Sequence, residues 1–208
     1  MVSGIDWNRC PASAGICSKA AATRKFADYP TLFRQIAQPD SDYLAVPEVS
    51  SERRPYIPIA FVSQDVICSN KIQFVPAATL YHLGILCSTM HMAWMRTVCG
   101  RLESRYSYSN TIVYNNFPWP ETTDKQRHAI EAAAQAVLDA RAQFPHTTLA
   151  DLYDPLTMPP ALLKAHQQLD RAVDAAYGVK GFKSEAERVA FLFSRYQQLL
   201  KEGSVESY

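Results

Sequence analysis

The stretch Leu80–Val98, LYHLGILCSTMHMAWMRTV, decides the fold. Its apolar character and length read as one long helix, the central buried element of the first half of the chain. His82, His91, Arg96 and several small polar residues make it too polar for a comfortable membrane span. Strands are expected on both sides of it. Upstream lie Leu44–Val46, ended by Pro47; Tyr56–Val62, which Pro58 confines to an edge or a bulge; and Ile72–Val75. Further upstream, Tyr29–Gln38 reads as a short helix with Pro30 near its start, and the first 18 residues as loop. Downstream, Arg101–Tyr108 alternates in character and suggests a strand, with Thr111–Tyr114 pairing to it across Ser109-Asn110, a polar pair suited to a tight turn.

Phe117-Pro118-Trp119-Pro120 interrupts both helix and sheet, and a domain boundary is placed there. Beyond it the chain is helical. Thr123 can cap a helix running to about Phe144, with Ile130, Ala133, Ala134, Val137 and Leu138 on one face. Pro159-Pro160 opens a second, striped by Leu162, His166, Leu169, Val173, Ala176 and Tyr177 and ended by Gly178. Ser184 with Glu187 suggests a capping box for a third, with Val189, Leu192, Phe193, Tyr196 and Leu200 on its buried side. The fold class is α+β: a mixed or antiparallel sheet around a long helix, followed by a small α-helical bundle.

Composition allows a sizeable core: 208 residues, 48% hydrophobic and 20% charged. The net charge of +1 announces no polyanion partner, but residues 1–118 hold 11 Lys+Arg against 8 Asp+Glu, while residues 119–208 hold 10 against 12. A polyanion should prefer the first half. The five cysteines, at positions 10, 17, 68, 87 and 99, include no CxxC pair and fit free thiols in a reducing compartment. The start, MVSGIDWNRCPASAG, has no apolar core of signal-peptide length. A cytoplasmic protein without a membrane span is expected.

Several chemistries are missing. The seven glycines form no GxG turn to hold a methyl-donor cofactor. Asn115-Asn116-Phe117-Pro118 resembles a scrambled Asn-Pro-Pro-aromatic loop, which positions a flipped base for amino-methylation, but it lacks the Pro-Pro and reads as a strand end. Cys87 and His91, i and i+4 on the long helix, with His82 one face away, lack further metal ligands and read as helix packing. His128 and His166 read as surface or partly buried helix residues. No catalytic or metal residue is assigned.

The richest constellation is Arg101-Leu102-Glu103-Ser104-Arg105-Tyr106-Ser107-Tyr108. On a strand, Arg101, Glu103, Arg105 and Ser107 share one face, and Leu102, Tyr106 and Tyr108 point into the core. That polar row suits base edges in a DNA major groove, since Arg donates twice to guanine and Glu accepts from the cytosine amino group. A solvated strand with a weak Glu103–Arg105 ion pair explains the same pattern. Glu48 with Asn70-Lys71 is a second candidate. Ser51-Glu52-Arg53-Arg54 is a third, where Arg53 and Arg54 could hold phosphates or simply serve solubility. The alternatives to DNA recognition are a protein-interaction module docking through the bundle, a non-functional fragment of a larger enzyme, or a small enzyme using Cys87 or the histidines.

A resemblance weighs between them. Ser18-Lys19-Ala20, Thr23-Arg24-Lys25, Pro30-Thr31-Leu32-Phe33, Tyr43-Leu44-Ala45-Val46-Pro47 and Arg54-Pro55-Tyr56-Ile57-Pro58-Ile59 resemble one family. So do His91-Met92-Ala93-Trp94-Met95-Arg96, Tyr106-Ser107-Tyr108-Ser109, Tyr114-Asn115-Asn116-Phe117-Pro118-Trp119-Pro120 and Leu152-Tyr153-Asp154-Pro155-Leu156-Thr157-Met158-Pro159. The family is that of MmeI-like restriction-modification enzymes (Type IIG, also called IIL), in which one polypeptide carries a nuclease, an adenine methyltransferase, a target-recognition domain and a helical C-terminal region. The resemblance covers about residues 18–203. It divides the chain into an unmatched segment 1–17, a target-recognition domain 18–118 and a helical domain 119–208. Residues 1–17 are unlike the family's upstream sequence, as in a disrupted gene product, a separate recognition subunit or a piece of a larger protein.

The resemblance implies double-stranded DNA as partner, with pairs of residues reading successive base pairs: Glu48 with Asn70, Lys71 with Ser107, and Glu103 with Arg105. Arg101 joins Arg53 and Arg54 as a candidate phosphate contact. It also implies S-adenosylmethionine and magnesium, but only for domains this chain does not resemble. The chain lacks the family's catalytic motifs and is expected to be inactive alone, working in cis or with a separate methyltransferase chain.

Overall fold

A computed structural model gives the structure of residues 38–203, together with Ala21. The loop expected over residues 1–18, the helix expected over Tyr29–Gln38 (Gln38 aside), and Cys10 and Cys17 lie outside the described residues. Residues 39–203 belong to one compact unit.

Two small antiparallel sheets organise the first half. In one, β1 (Tyr43–Pro47) lies between β3 (Ala60–Val62) and β4 (Ile72–Pro76), with Ala45 opposite both Ala60 and Phe74. Both faces of β1 are covered, since Tyr43, Leu44, Ala45 and Val46 are all buried, and its sequence is accordingly a continuous apolar run. Pro58 shortens the third strand. It has no N–H for a ladder, the Ile59 N–H turns back to the Ile57 carbonyl at 2.9 Å, and β3 begins only at Ala60, on the sheet edge. The second sheet has the order β2 (Val49–Ser50), β6 (Arg105–Ser107), β5 (Gly100–Leu102).

The expected single helix is two. α1 (Leu80–Leu86) and α2 (Thr89–Val98) meet at Cys87 and Ser88. Ser88 is extended, at ψ 161°; its hydroxyl accepts from the His91 N–H at 3.3 Å and donates to the Ile85 carbonyl at 2.7 Å. A serine that caps the next turn breaks a helix whose apolar period runs straight through. The expected strand Arg101–Tyr108 is instead the hairpin β5–β6, turning at Glu103-Ser104, and Leu102, expected in the core, is 49% exposed. Thr111–Tyr114 is not a strand either. Asn110–Tyr114 is a π-helical turn, closed by the Asn115 N–H on the Asn110 carbonyl at 2.9 Å and tied by the Asn116 side-chain amide to the Thr111 and Ile112 carbonyls.

The helices α3 (Asp124–Ala142), α4 (Leu149–Leu152), α5 (Pro160–Ala176) and α6 (Glu185–Glu202) follow. Thr123 and Gln126 cap α3 reciprocally. Ser184 caps α6 through the Glu187 N–H at 3.2 Å, but the Glu187 carboxylate takes the Lys183 N–H, so the expected box is only half formed. α3 and α5 pack on each other and on α1, while α6 lies mainly along α2, where Trp94 meets Phe193 and Tyr196. Leu192 is the one fully buried side chain of α6, and Leu200 is half exposed. One core therefore runs through both halves, from Leu44 and Ile57 through Trp94 to Ile130 and Leu169.

Candidate functional site

Where the chain passes from the first sheet to the second stands Glu48. Its N–H donates to the Lys71 carbonyl at 3.0 Å and its carbonyl accepts from the Tyr108 N–H at 2.7 Å. The residue is thereby pinned between the start of β4 and the end of β6. Asn70, exposed, occupies the turn just before Lys71. The Lys71 ammonium lies 3.4 Å from the Glu48 carboxylate, with the side chains 68% and 28% exposed. Ser107 stands opposite Val49 across the ladder. Four of the sequence-derived candidates, Glu48, Asn70, Lys71 and Ser107, thus converge on one locus from three segments.

Glu103 and Arg105 are at the hairpin tip, joined by an ion pair at 2.9 Å. Arg105 and Ser107 share a face of β6, about 7 Å apart along the strand. The hairpin corrects the expected row in two ways. Glu103 belongs to the turn, at φ 58°. Arg101 stands opposite Tyr106 rather than Arg105, so it lies on the other face, its guanidinium 4.2 Å from the centre of the Tyr106 ring and bonded to the Ser104 carbonyl at 3.1 Å. A turn resets the alternation that an unbroken strand would carry through. Arg53 is exposed. Arg54 is half-buried, with its Nε enclosed and its carbonyl accepting from Arg96. Beside the Glu48 locus, Gln73, Tyr108, Asn110, Tyr114 and Asn115 line a groove of about 280 Å³ between β4 and the π-helical turn.

A polar network inside the core was not foreseen from sequence. Arg141 donates to the Ile59 carbonyl at 2.7 Å and to the Tyr153 hydroxyl at 2.8 Å, and that hydroxyl shares a hydrogen bond with His166 Nε2 at 2.6 Å. Tyr56 stacks on His166 and donates to Asp170 at 2.8 Å, while Asp170 accepts the Thr89 N–H at 2.7 Å. His166, expected at the surface or partly buried, is fully enclosed. No signal in the sequence marks the set, because its members lie far apart in the chain. Burial, with Arg141 nearby, holds the His166 pKa down to about 3, and burial pushes the Cys87 thiol and the Tyr153 phenol up. The Cys87 thiol and the His166 ring are both enclosed in the core. Cys87, His82 and His91 do not meet at a metal: they bond to Arg141, Thr79 and Tyr108 respectively. Among the described residues no three His, Cys, Asp or Glu side chains are placed to share a metal ion, and no helix is long and apolar enough to cross a membrane.

The chain matches the family model of the MmeI target recognition domain over residues 12–121 and that of the MmeI C-terminal domain over residues 122–202. It is 43% identical to DNA methyltransferase A of Bacillus subtilis (strain 168) over 177 residues, 85% of this chain and 20% of that protein. Its structure is similar to that of the Type IIL restriction-modification enzyme MmeI solved in complex with DNA, with a TM-score of 0.85 and 53% identity, covering 91% of this chain and 25% of that one. The chain thus spans a fifth to a quarter of the length of these relatives.

Proposed function

The chain belongs to the MmeI family, and from that premise we propose that it is the sequence-recognition portion of a restriction-modification DNA methyltransferase, with double-stranded DNA as its partner. Residues 18–118 do the recognising in this reading, and α3 and α5 brace the part from Pro39 to Pro118 through α1. The observation that carries it is the display of two carboxylate–cation couples, Glu48 with Lys71 and Glu103 with Arg105, beside one short strand. Within one reading pair, Glu103 with Arg105 offers an acceptor and a donor side by side, as the major-groove edge of a C·G pair requires. Arg105 faces guanine, with Glu103 at the paired cytosine. Lys71, a donor only, also favours guanine, with Ser107 beside it, and Asn70 assists Glu48. Arg53, Arg54 and Arg101 hold phosphates and set the register.

S-adenosylmethionine and magnesium serve the methyltransferase and nuclease parts of such enzymes. This sequence has no glycine-rich cofactor turn and no Asn-Pro-Pro-aromatic loop, so methyl transfer calls for those parts, on a longer polypeptide or on a separate methyltransferase chain in the cytoplasm. DNA binding by this portion alone is weak and falls with salt. The test is a binding assay on varied duplexes with the paired change Glu103→Lys and Arg105→Asp. The preferred base pair at one position should invert; an unchanged preferred sequence refutes the assignment. A gel shift that is insensitive to both salt and DNA sequence would favour a protein-docking module instead.

A further inference from the structure

The two ion pairs of the candidate surface are not equivalent. Glu103 and Arg105 belong to one proposed reading pair, so their ion pair is closed within it. Glu48 and Lys71 belong to different reading pairs, yet their side chains meet at 3.4 Å. The backbone repeats this crossing. Glu48 donates to Lys71 on one side and accepts from Tyr108, the neighbour of Ser107, on the other. The segments bearing Lys71 and Ser107 are therefore bridged by a residue assigned to the adjacent base pair.

We propose that Glu48 is a positioning residue for Lys71, so that the two base pairs served by Glu48 and Lys71 are read as one coupled unit and not independently. This rests on the DNA-reading function proposed above. An ammonium beside a carboxylate is drawn toward it. When the base opposite Glu48 donates to its carboxylate, that carboxylate is engaged and Lys71 is released to donate to guanine. When the base there cannot donate, the carboxylate keeps the ammonium, and discrimination by Lys71 weakens. The identity of one base pair thus sets how strongly the next is read. Both side chains are solvent-accessible, so the coupling is modest, about two- to fivefold, and it shrinks as salt screens the pair. The Glu103–Arg105 pair acts within a single base pair and carries no such cross-talk.

The test uses the full chain, the single variants Glu48→Gln, Lys71→Gln and Glu103→Gln, and the double variant of the first two. Each is titrated at low and moderate salt against duplexes covering all combinations of the two adjacent base pairs. Glu48→Gln keeps both backbone hydrogen bonds while it removes the charge and turns one acceptor oxygen into a donor amide. It should alter preference at two base pairs, sharpening guanine preference at the Lys71 position, while Glu103→Gln alters one. The effects of Glu48→Gln and Lys71→Gln should fail to add by about two- to fivefold, and the discrepancy should shrink at the higher salt. A Glu48→Gln effect confined to one base pair, with additive double-variant data, overturns the coupling while leaving DNA reading intact. A parent chain with no sequence preference overturns both.

Discussion

Glu103 adopts φ 58°, a conformation that costs a residue bearing a Cβ about 1–2 kcal/mol. Glycine would relieve that strain, at a cost of up to about 1 kcal/mol in unfolded-chain freedom. Glu103→Gly should therefore leave stability in urea unchanged or slightly raised, yet abolish discrimination at its base pair; a clear loss of stability would show that the strain is absent. Two buried imidazoles set a pH dependence. Burial holds His91, like His166, down to about pKa 3, whereas an unfolded histidine takes up its proton near pH 6.5. Stability is complete above about 6.5 and falls as the pH drops toward 3, by up to about 1.4 kcal/mol per pH unit for each histidine. Asp170, whose carboxyl is raised by burial, opposes this only where carboxyls begin to protonate. The urea midpoint should drop between pH 7.5 and 5.5, and a flat midpoint would place both rings in solvent. At this scale the charged candidates were legible in the sequence, because ionisable residues beside turns stand out. The Glu103–Arg105 ion pair was legible as well, being two positions apart, whereas that of Glu48 with Lys71 was not, since they lie 23 positions apart.

Among the elements, caps and prolines were the dependable signals. Thr123, Pro160 and Gly178 act as their residue types dictate, because each works through its own backbone or its immediate neighbours. Periodicity misled at Leu80–Val98, where the apolar pattern is continuous and only the Ser88 side chain decides that one helix ends and another begins. It misled again at Arg101–Tyr108, where the turn lies inside the alternating run. Gly84 offers an element-scale prediction. A Cβ there would sit 2.6 Å from Ile130 Cγ2 and 3.3 Å from Leu169 Cδ1. Ile130 is fully buried and, being β-branched, has little rotamer freedom to give way. Alanine favours a helix over glycine by about 1 kcal/mol, but overpacking costs about 1–3 kcal/mol. Gly84→Ala should lower the melting temperature, and a rise would mean that α1 and α3 stand further apart than described.

Over the molecule as a whole, one core joins the sheets to the helices. Ile130 and Leu169 pack beneath α1, Trp94 supports α6, and Arg141 reaches the Ile59 carbonyl 82 positions away. A fragment beginning at Thr122, where the second family match starts, should lack a cooperative unfolding transition in urea, because α3 and α5 lose the surface that covers them. A sharp transition in that fragment would contradict a shared core. The sequence alone determined the α+β class, the three long helices of the second half and the family. All of these are written in local runs, turn residues and motifs. The tertiary structure alone decided that Arg101 faces away from Arg105, that Glu48 sits between Lys71 and Ser107, and that His166 is sealed beneath Tyr56. The reason is physical: facing and pairing depend on one turn's dihedral angles and on contacts between segments far apart in the chain, and neither leaves a periodic trace in the residues themselves.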